Sequence, residues 1–397
     1  MMKDFDVIIV GGGLVGGSLA LALKDTPLKI AVIEAQSDEE RSKSSAGNRA
    51  LALSRNTVQA LRGLGVFDRV EAIAAPIRKI HVSDRGHFGK ARLDARDRGV
   101  EALGHVVVAR GLEEAISAAM ARIKTITSIQ PARILSLKSG PEKILVSVRS
   151  KDEDLVLSAR LVVAADGGHS TVRSLLGIPQ TVKDYGQTAV VTEVITTKDH
   201  NGTAYERFTR SGPLAVLPLG PRRCSVVWTL TQSDAEEVLR EGDQECIDQL
   251  QDAFGHWLGT LTLATKPIGF PLKLIRSDAM IDDRVVLIGN AMHTIHPVAG
   301  QGFNLGLRDA AVLAERISAR HRLAEDIGDS DFLGQYAKAR KSDLDTVVRF
   351  TDSLIRIFSN DLQPLVALRN LALLTFDRLP FAKRILARRA MGYGGGS

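Results

Sequence analysis

Gly11, Gly13 and Gly16 stand as Gly-x-Gly-x-x-Gly directly after a run of β-branched residues, and Glu34 lies 18 positions beyond the last of them. Glycines at this spacing handle phosphate with bare backbone. The first permits a tight turn, the second lets main chain approach a pyrophosphate, and the third lets helix and strand pack closely. The following helix N-terminus favours the negative charge. A carboxylate at Glu34 is placed to accept hydrogen bonds from an adenosine ribose. Three glycines alone are only a turn. A strand before them, a helix after them and an acid ending the next strand together point to dinucleotide binding.

Two further segments carry the same kind of chemistry. Ala164-Ala165-Asp166-Gly167-Gly168-His169-Ser170-Thr171-Val172-Arg173 closes another apolar run, although Asp-Gly by itself is an ordinary turn. Gly289-Asn290-Ala291 is followed by Pro297-Val298-Ala299-Gly300-Gln301-Gly302-Phe303-Asn304. There the glycines allow close backbone approach, Pro297 stiffens the entry, and the amides preceding a helix point at whatever anion lies at its N-terminus. Other chemistries lack their equipment: the chain has no Gly-x-Ser-x-Gly elbow, no His-Glu-x-x-His helix and no P-loop lysine. Cys224 and Cys246 are the only cysteines, so neither a disulfide framework nor a four-cysteine zinc site is expected, and no metal site is assigned. Both are read as packed or surface thiols in a reducing compartment. His81, His87, His293 and His296 are available for proton transfer, but histidines in strands and turns are more often structural, so no catalytic residue is named.

The elements that must position these residues can be read in outline. Asp6 to Val10 and Lys29 to Ile33 read as short buried strands around a helix from Leu14 to Leu23, a βαβ unit. Ser54 is placed to cap a helix running to about Arg62, with Gly63 and Gly65 at its end. Arg110 to Met120 has helical spacing. Ile129 to Leu161 alternates as an antiparallel hairpin or meander, and Leu161 to Ala165 returns as a buried strand. Val190–Ile195, Tyr205–Thr209, Leu214–Leu219 and Cys224–Leu230, separated by Asn-Gly, Ser-Gly-Pro and Gly-Pro turns, predict a second sheet. Val285 to Ile288 is another buried strand, Asn304 to Arg316 a helix, and Phe332 to Met391 a set of helices interrupted at Pro364 and Pro380. The first domain is thus re-entered after the second sheet, and the domains are interleaved.

Composition sets outer bounds. At 397 residues, 44% hydrophobic and 25% charged, the chain is long enough for two or three domains and a large core. Val7 to Leu23 could be mistaken for a signal peptide, but Asp4 and Asp6 precede it and Gly11 to Gly13 interrupt it. The uncharged run from Val285 to Leu307 holds glycine, proline, histidine and asparagine, poor residents of hydrocarbon, so no transmembrane helix is expected. A net charge of +6 comes without basic blocks interleaved with aromatics, which argues against nucleic acid and for anionic lipid. The segment Arg378 to Arg389 fits that reading. Arg378, Lys383, Arg384, Arg388 and Arg389 occur there without an acid, and Phe381, Ala382, Ile385 and Leu386 lie at helical spacing between them, a pattern that suits peripheral membrane contact.

With the three motifs in this order, the chain resembles the class A flavin-dependent aromatic hydroxylases of the para-hydroxybenzoate hydroxylase fold. It is more closely similar to the ubiquinone-biosynthesis hydroxylases through His81–Gly86, Glu206–Thr209 with Gly212–Pro218, and His296–Asp309. The similarity runs from Asp6 to about Tyr393. The fold it implies is α/β: a Rossmann-like FAD-binding domain from residues 1–75, 100–180 and 280–330, a mixed β-sheet substrate domain from 76–99 and 181–279, and a C-terminal helical region over 331–393. The resemblance implies that Gly11, Gly13, Gly16 and Glu34 hold the ADP half of FAD, and that Arg49 and Arg110 contact the cofactor. It assigns Asp166 to the ribityl and pyrophosphate region, and Pro297, Gly300, Gln301, Gly302 and Asn304 to the flavin ring. Asn290 stands where the superfamily usually has Asp; it keeps hydrogen-bonding capacity without the charge.

The activity implied is NAD(P)H- and O₂-dependent hydroxylation of a polyprenylated phenol, 2-polyprenyl-6-methoxyphenol, through a flavin C4a-hydroperoxide in ubiquinone biosynthesis. Alternatives are another ring position, another aromatic substrate, or a flavin-binding assembly subunit of the biosynthetic complex. Intact glycines, Glu34 and Asp166 disfavour the last. Phe208, Leu217, Pro218 and Trp228 are candidates for an apolar wall over the flavin, with core packing the competing reading. The location implied is cytoplasmic, with peripheral contact on the inner face of the membrane.

Overall fold

Strands with no polar interruption can only sit where both faces are covered. Val7, Ile8 and Ile9 are fully buried, as are Leu161, Val162, Val163 and Ala164 and also Val285, Val286 and Leu287, and Ile30 to Ile33 are at most 1% exposed. In the computed structural model, which describes residues 3–86, 89–151, 153–295 and 300–358, these four segments are the parallel centre of an eight-stranded sheet. Their order is Val285–Leu287, Glu153–Ala164, Lys3–Val10, Ile30–Ile33, with Ile126–Ile129 beyond the last. Ala132–Ser139, Ile144–Ser150 and the first half of Glu153–Ala164 form the expected antiparallel meander.

Register decides what this sheet can do. Val10 is level with both Ala164 and Ile33, and Ala164 with Leu287, so the carboxyl ends of the four parallel strands are flush. Backbone bonds carry the ladder one step further: Gly11 N–H to the Ile33 carbonyl at 2.8 Å, Ala165 N–H to Val10 at 2.7 Å, and Ile288 N–H to Ala164 at 2.9 Å. The helix Leu14–Ala22 leaves this edge, buried against Ala109–Met120 on one side and Gln301–Arg322 on another. Gly306 of the last allows that approach, for a side chain there would press on Val15.

Residues with a period of two and one apolar face build the second, nine-stranded sheet. Its order is His293–Thr294, Ile268–Ser277, Gln180–Thr196, Arg223–Thr231, Pro213–Gly220, Thr203–Phe208, Lys79–Asp84, Lys90–Asp94, with Leu261–Leu263 pairing beside Gln180–Thr196. All its pairings are antiparallel except Thr203–Phe208 with Lys79–Asp84. The helices Gln232–Glu241 and Asp243–Phe254 cover one face and enclose Val190, Val194, Leu214, Val216, Val226 and Trp228. The other face looks toward the three-stranded sheet of Ala50–Ser54, Gly104–Val108 and Ala75–Ile77, where Ala204 and Leu217 join Ile77 and Val106. His293–Thr294, directly after the Gly289–Asn290 turn, pairs with Ile275 and Arg276 and so stitches the two large sheets together.

The long helix Ser330–Phe358 packs on Gln301–Arg322, with Tyr336 fully buried. Among the described residues no helix is long and apolar enough to cross a membrane. Arg378 to Arg389, and the helices expected around Pro364 and Pro380, lie outside the described residues. The two-helix cover over the second sheet and the strand Ile268–Ser277 were not anticipated from the sequence.

Candidate active site

The flush strand ends bring Gly11–Gly16, Glu34, Asp166 and Gly289–Asn290 to one edge of the first sheet. Gly11 has φ +100°, and a side chain on it would overlap the Ala165 carbonyl. One on Gly16 would overlap the Gly11 carbonyl oxygen. Gly13 differs: an added Cβ would meet nothing within 4 Å, so open space lies over the start of the helix. That helix has no side-chain cap, which leaves its first amides free for an anion. Glu34 Oε2 accepts the Gly12 N–H at 2.8 Å and Oε1 accepts Gln36 N–H at 3.0 Å, fixing the carboxylate beside the turn.

Asp166 accepts the Val172 N–H through Oδ2 at 3.1 Å, while its Oδ1 is buried without a partner among the described residues. A buried acceptor left unsatisfied is costly and marks a place where a ligand donor belongs. Arg173, 5% exposed, links this motif to the third by donating to the Gly168 and Ala291 carbonyls, both at 2.8 Å. Asn290 is exposed on the short turn Gly289–Ala291, where Gly289 has φ +57°.

At the far end, Gly300 sits in the left-handed region at φ +61° and caps the helix Gln301–Arg322, again with no side-chain cap. A Cβ there would come within 2.9 Å of the Ala52 Cβ; Gly302 faces open space. Asn304 is 4% exposed and holds this helix start in place. Its Oδ1 accepts from Ser54 N–H at 3.0 Å and Thr57 Oγ1 at 2.6 Å, and its Nδ2 donates to the Ala52 and Gly300 carbonyls at 2.9 and 2.7 Å. Asn304 therefore shapes the loop, with its amide already satisfied by protein. Pro297 lies outside the described residues, as do His87 and His296.

Arg49 is exposed at the entry to the strand Ala50–Ser54. Arg110 clamps the segment before it: its guanidinium donates to the carbonyls of Arg41 (3.3 Å), Ser42 and Ser44 (2.9 Å) and to Asn48 Oδ1 (2.9 Å). Burial raises the carboxyl of Glu113 against the opposing charges of Arg49, Arg41 and Arg110.

The four side chains expected to share one apolar wall do not. Leu217 packs with Ile77 and Val106, and Phe208 lies on the same face of the sheet, four residues along its strand from Ala204. Trp228 is in the opposite, helix-covered core, and Pro218 pairs with Cys224 of that core. Neighbours on a strand point to opposite faces, so Leu217 and Pro218 could not have shared a wall. Cys224 and Cys246 are both buried in that core. His81 stacks on Trp257 with ring centroids 4.5 Å apart, away from the cleft.

The sequence reading missed one buried network behind the third motif. Asp309 Oδ2 accepts from Gly289 N–H at 3.0 Å and lies 2.8 Å from His293 Nε2. Arg340 Nε donates to Asp309 Oδ1 at 2.8 Å, its Nη2 makes an ionic contact at 2.7 Å, and Nη1 reaches Asp343 at 2.7 Å. Burial pushes the Asp309 carboxyl up, but His293, Arg340 and the Gly289 amide together hold it below the usual range. A His and an Asp sixteen residues apart, with an Arg on a later helix, leave no local signal.

The open cradle at Gly13, the orphaned Asp166 oxygen and two uncapped helix starts along one cleft suit an extended dinucleotide with an anionic diphosphate and ring. A family model described as FAD binding domain matches residues 4–351. The chain is 35% identical to the ubiquinone hydroxylase UbiL of Rhodospirillum rubrum, over 98% of this chain and 90% of that one. It is 30% identical to the 3-demethoxyubiquinol 3-hydroxylase of Escherichia coli, over 98% of each. Among solved structures, p-nitrophenol 4-monooxygenase PnpA from Pseudomonas putida superposes with a TM-score of 0.81 at 18% identity, covering 98% of this chain and 99% of that one. Fold and site define an FAD-dependent monooxygenase. The chain belongs to the family of class A flavin hydroxylases that includes the ubiquinone-biosynthesis enzymes.

Proposed function

We propose that this enzyme hydroxylates a polyprenylated phenol, 2-polyprenyl-6-methoxyphenol, in ubiquinone biosynthesis, with NAD(P)H as electron donor. The observation that carries the substrate class is the sheet face turned toward the flavin end of the cleft. One cross-strand row on it reads Ala215, Val227, Val191, Ile268, and the next ends at Ala189 and Phe270. Ile268 and Phe270 remain 44% and 38% exposed at the open end, so an apolar track leads outward from the cleft. A long hydrocarbon chain is the substrate feature that such a track accommodates. The place in ubiquinone biosynthesis draws its support from relatives named ubiquinone hydroxylase and 3-demethoxyubiquinol 3-hydroxylase, matched over nearly their whole length, and the ring position is the part of this reading that the product assay decides.

In this reading residues 1–75, 100–180 and 280–330 hold FAD, 76–99 and 181–279 form the substrate wall, and an added helical region begins at 331, its part beyond 358 lying outside the described residues. Gly11, Gly13 and Gly16 present bare backbone to the diphosphate, Glu34 accepts from a ribose, and Asp166 Oδ1 receives a ribityl or ribose hydroxyl. Arg49 and Arg110 contact the cofactor, and Asn290 meets the ribityl chain. FAD, when bound, supplies the electron transfer and oxygen activation that no side chain can provide. With FAD bound, the amides at Gly300, Gln301 and Gly302 would supply partial positive charge toward the ring. Phe208 and Leu217 exclude water from the ring.

The test is NAD(P)H oxidation by the FAD-loaded protein with a short-chain 2-prenyl-6-methoxyphenol, with the product identified by mass spectrometry. Stimulated oxidation with one oxygen added to the ring is expected. Oxidation without product would overturn the reading, and a different ring position would redirect it to a neighbouring step.

A further inference from the structure

Glu206 is a carboxylate with nothing to hold. It forms no hydrogen bond or ion pair with any described residue. It sits mid-strand in Thr203–Phe208, level with Ala215 on one neighbouring strand and Val82 on the other. Alternation fixes its direction: Tyr205 packs into the helix-covered core, whereas Ala204 packs against Ile77, Val106, Ala50 and Ala52. Glu206 shares the face of Ala204. Ala52 on that opposing layer touches the Gly300 position and accepts from Asn304, so the face bearing Glu206 looks toward the flavin end of the cleft. Glu206 also begins the apolar row that runs through Ala215, Val227 and Val191 to Ile268.

No structural purpose accounts for an acid in that place. A buried carboxylate without a donor is destabilising, and a neutral or apolar side chain would pack there at less cost. Among the described residues the surroundings offer no counter-charge. Asp84, in the next cross-strand row, is a like-charged neighbour on the same face, and Arg207 and His81 stack on Trp257, on the opposite face. The small sheet packed opposite contributes apolar groups. The side chain keeps some accessible surface, as it must to meet a substrate.

We infer that Glu206 is the proton acceptor for the phenolic hydroxyl of the substrate whose ring lies at the inner end of this apolar row. The step is a proton transfer alone. The phenol O–H bond breaks, the electron pair stays on oxygen and enriches the ring for electrophilic attack, and the proton forms the Glu206 carboxylic acid, to be returned as the product leaves. A free phenol, with a pKa of about 10, ionises poorly at neutral pH, and a positioned base contributes roughly 10²- to 10⁴-fold. Geometry thus gives the acid a partner that no described residue supplies. Burial, which raises the carboxyl to about 7, matches its basicity to that task. The inference rests on the phenol-hydroxylase reading above.

The experiment measures hydroxylated product per unit time for the FAD-loaded wild type, Glu206→Gln and Glu206→Asp, between pH 5.5 and 9. The substrates are a short-chain prenylphenol of ordinary acidity and a ring-fluorinated analogue already ionised at neutral pH. Wild type is expected to lose activity as pH falls through about 7 with the ordinary phenol, since the base must be ionised. Glu206→Gln is expected to lower the plateau about 100-fold and abolish that limb, with a deficit below about fivefold for the ionised analogue. Partial recovery in Glu206→Asp is expected. A merely structural Glu206 would impair both substrates alike, and that result, or an unchanged pH profile in Glu206→Gln, overturns the inference. Should the variants lose FAD, the wild type alone decides: a limb near 7 with both phenols, or with neither, refutes it. Failure of wild type to hydroxylate any phenol would instead refute the underlying function.

Discussion

Replacing Arg340 by Met removes one charge from a buried pair and leaves the other behind. Arg340 is 5% exposed and Asp309 is 4% exposed. The variant strips Asp309 Oδ1 of the Nε bond at 2.8 Å and the Nη2 contact at 2.7 Å, while Oδ2 keeps Gly289 N–H and His293. Asp343 keeps Arg308 at 3.0 Å, so the damage centres on Asp309. Breaking a buried ion pair from one side costs about 3–5 kcal/mol, and the retained bonds on Oδ2 argue for the lower end, about 3 kcal/mol. The carboxylate orders the Gly289 amide at the start of the third motif, so FAD affinity should fall as well, by roughly tenfold, or about 1.4 kcal/mol. Urea unfolding followed by circular dichroism gives the first quantity, and flavin fluorescence during FAD titration gives the second. Acid sensitivity gives a third. In the wild type the depressed Asp309 carboxyl contributes stability above its unfolded value of about 3.9, lost as pH falls through the lower folded value. Without Arg340 the opposition to burial weakens, and acid unfolding should begin at higher pH. Arg340→Lys should recover part of the loss, because charge returns without the planar fork. A loss under 1 kcal/mol in Arg340→Met with unchanged FAD binding would refute this account of the network.

Gly16→Ala should yield protein that retains FAD at least tenfold less well by fluorescence titration, because the new methyl overlaps the Gly11 carbonyl oxygen and must displace the turn. Asn304→Ala leaves Ser54 N–H and two carbonyls without their partner, and should lower stability by about 2–4 kcal/mol in urea unfolding. The same variant should shift the visible flavin spectrum if the helix start meets the ring as proposed, since it is then no longer tied to Ala52. Burial pushes the Cys224 thiol up to about 12 and raises Cys246 as well, so neither should react with an aromatic disulfide reagent at pH 8 until the protein is unfolded.

What the sequence determined by itself is local. Gly11 to Gly16, the apolar run before them and the helix spacing after them lie within one short stretch, and their physics is complete there: a turn that tolerates no side chain, followed by a helix start. The cap at Ser54 is equally local, and its Oγ does accept the Thr57 N–H at 3.2 Å. Alternation in Ile144, Val146 and Val148 announced a meander that needed no distant partner. The tertiary structure alone decided which face of each strand meets the cleft. Sequence parity separates Leu217 from Pro218 and Glu206 from Tyr205, but both faces of the second sheet are largely apolar and both pack against other elements, so parity cannot tell which of them meets the cleft. Nor does spacing reveal that Arg340 meets Asp309 behind the Gly289 amide, because that meeting depends on how two long helices cross. Short-range sterics and hydrogen bonding write themselves into neighbouring residues, whereas the pairing of buried charges is settled only when the layers pack.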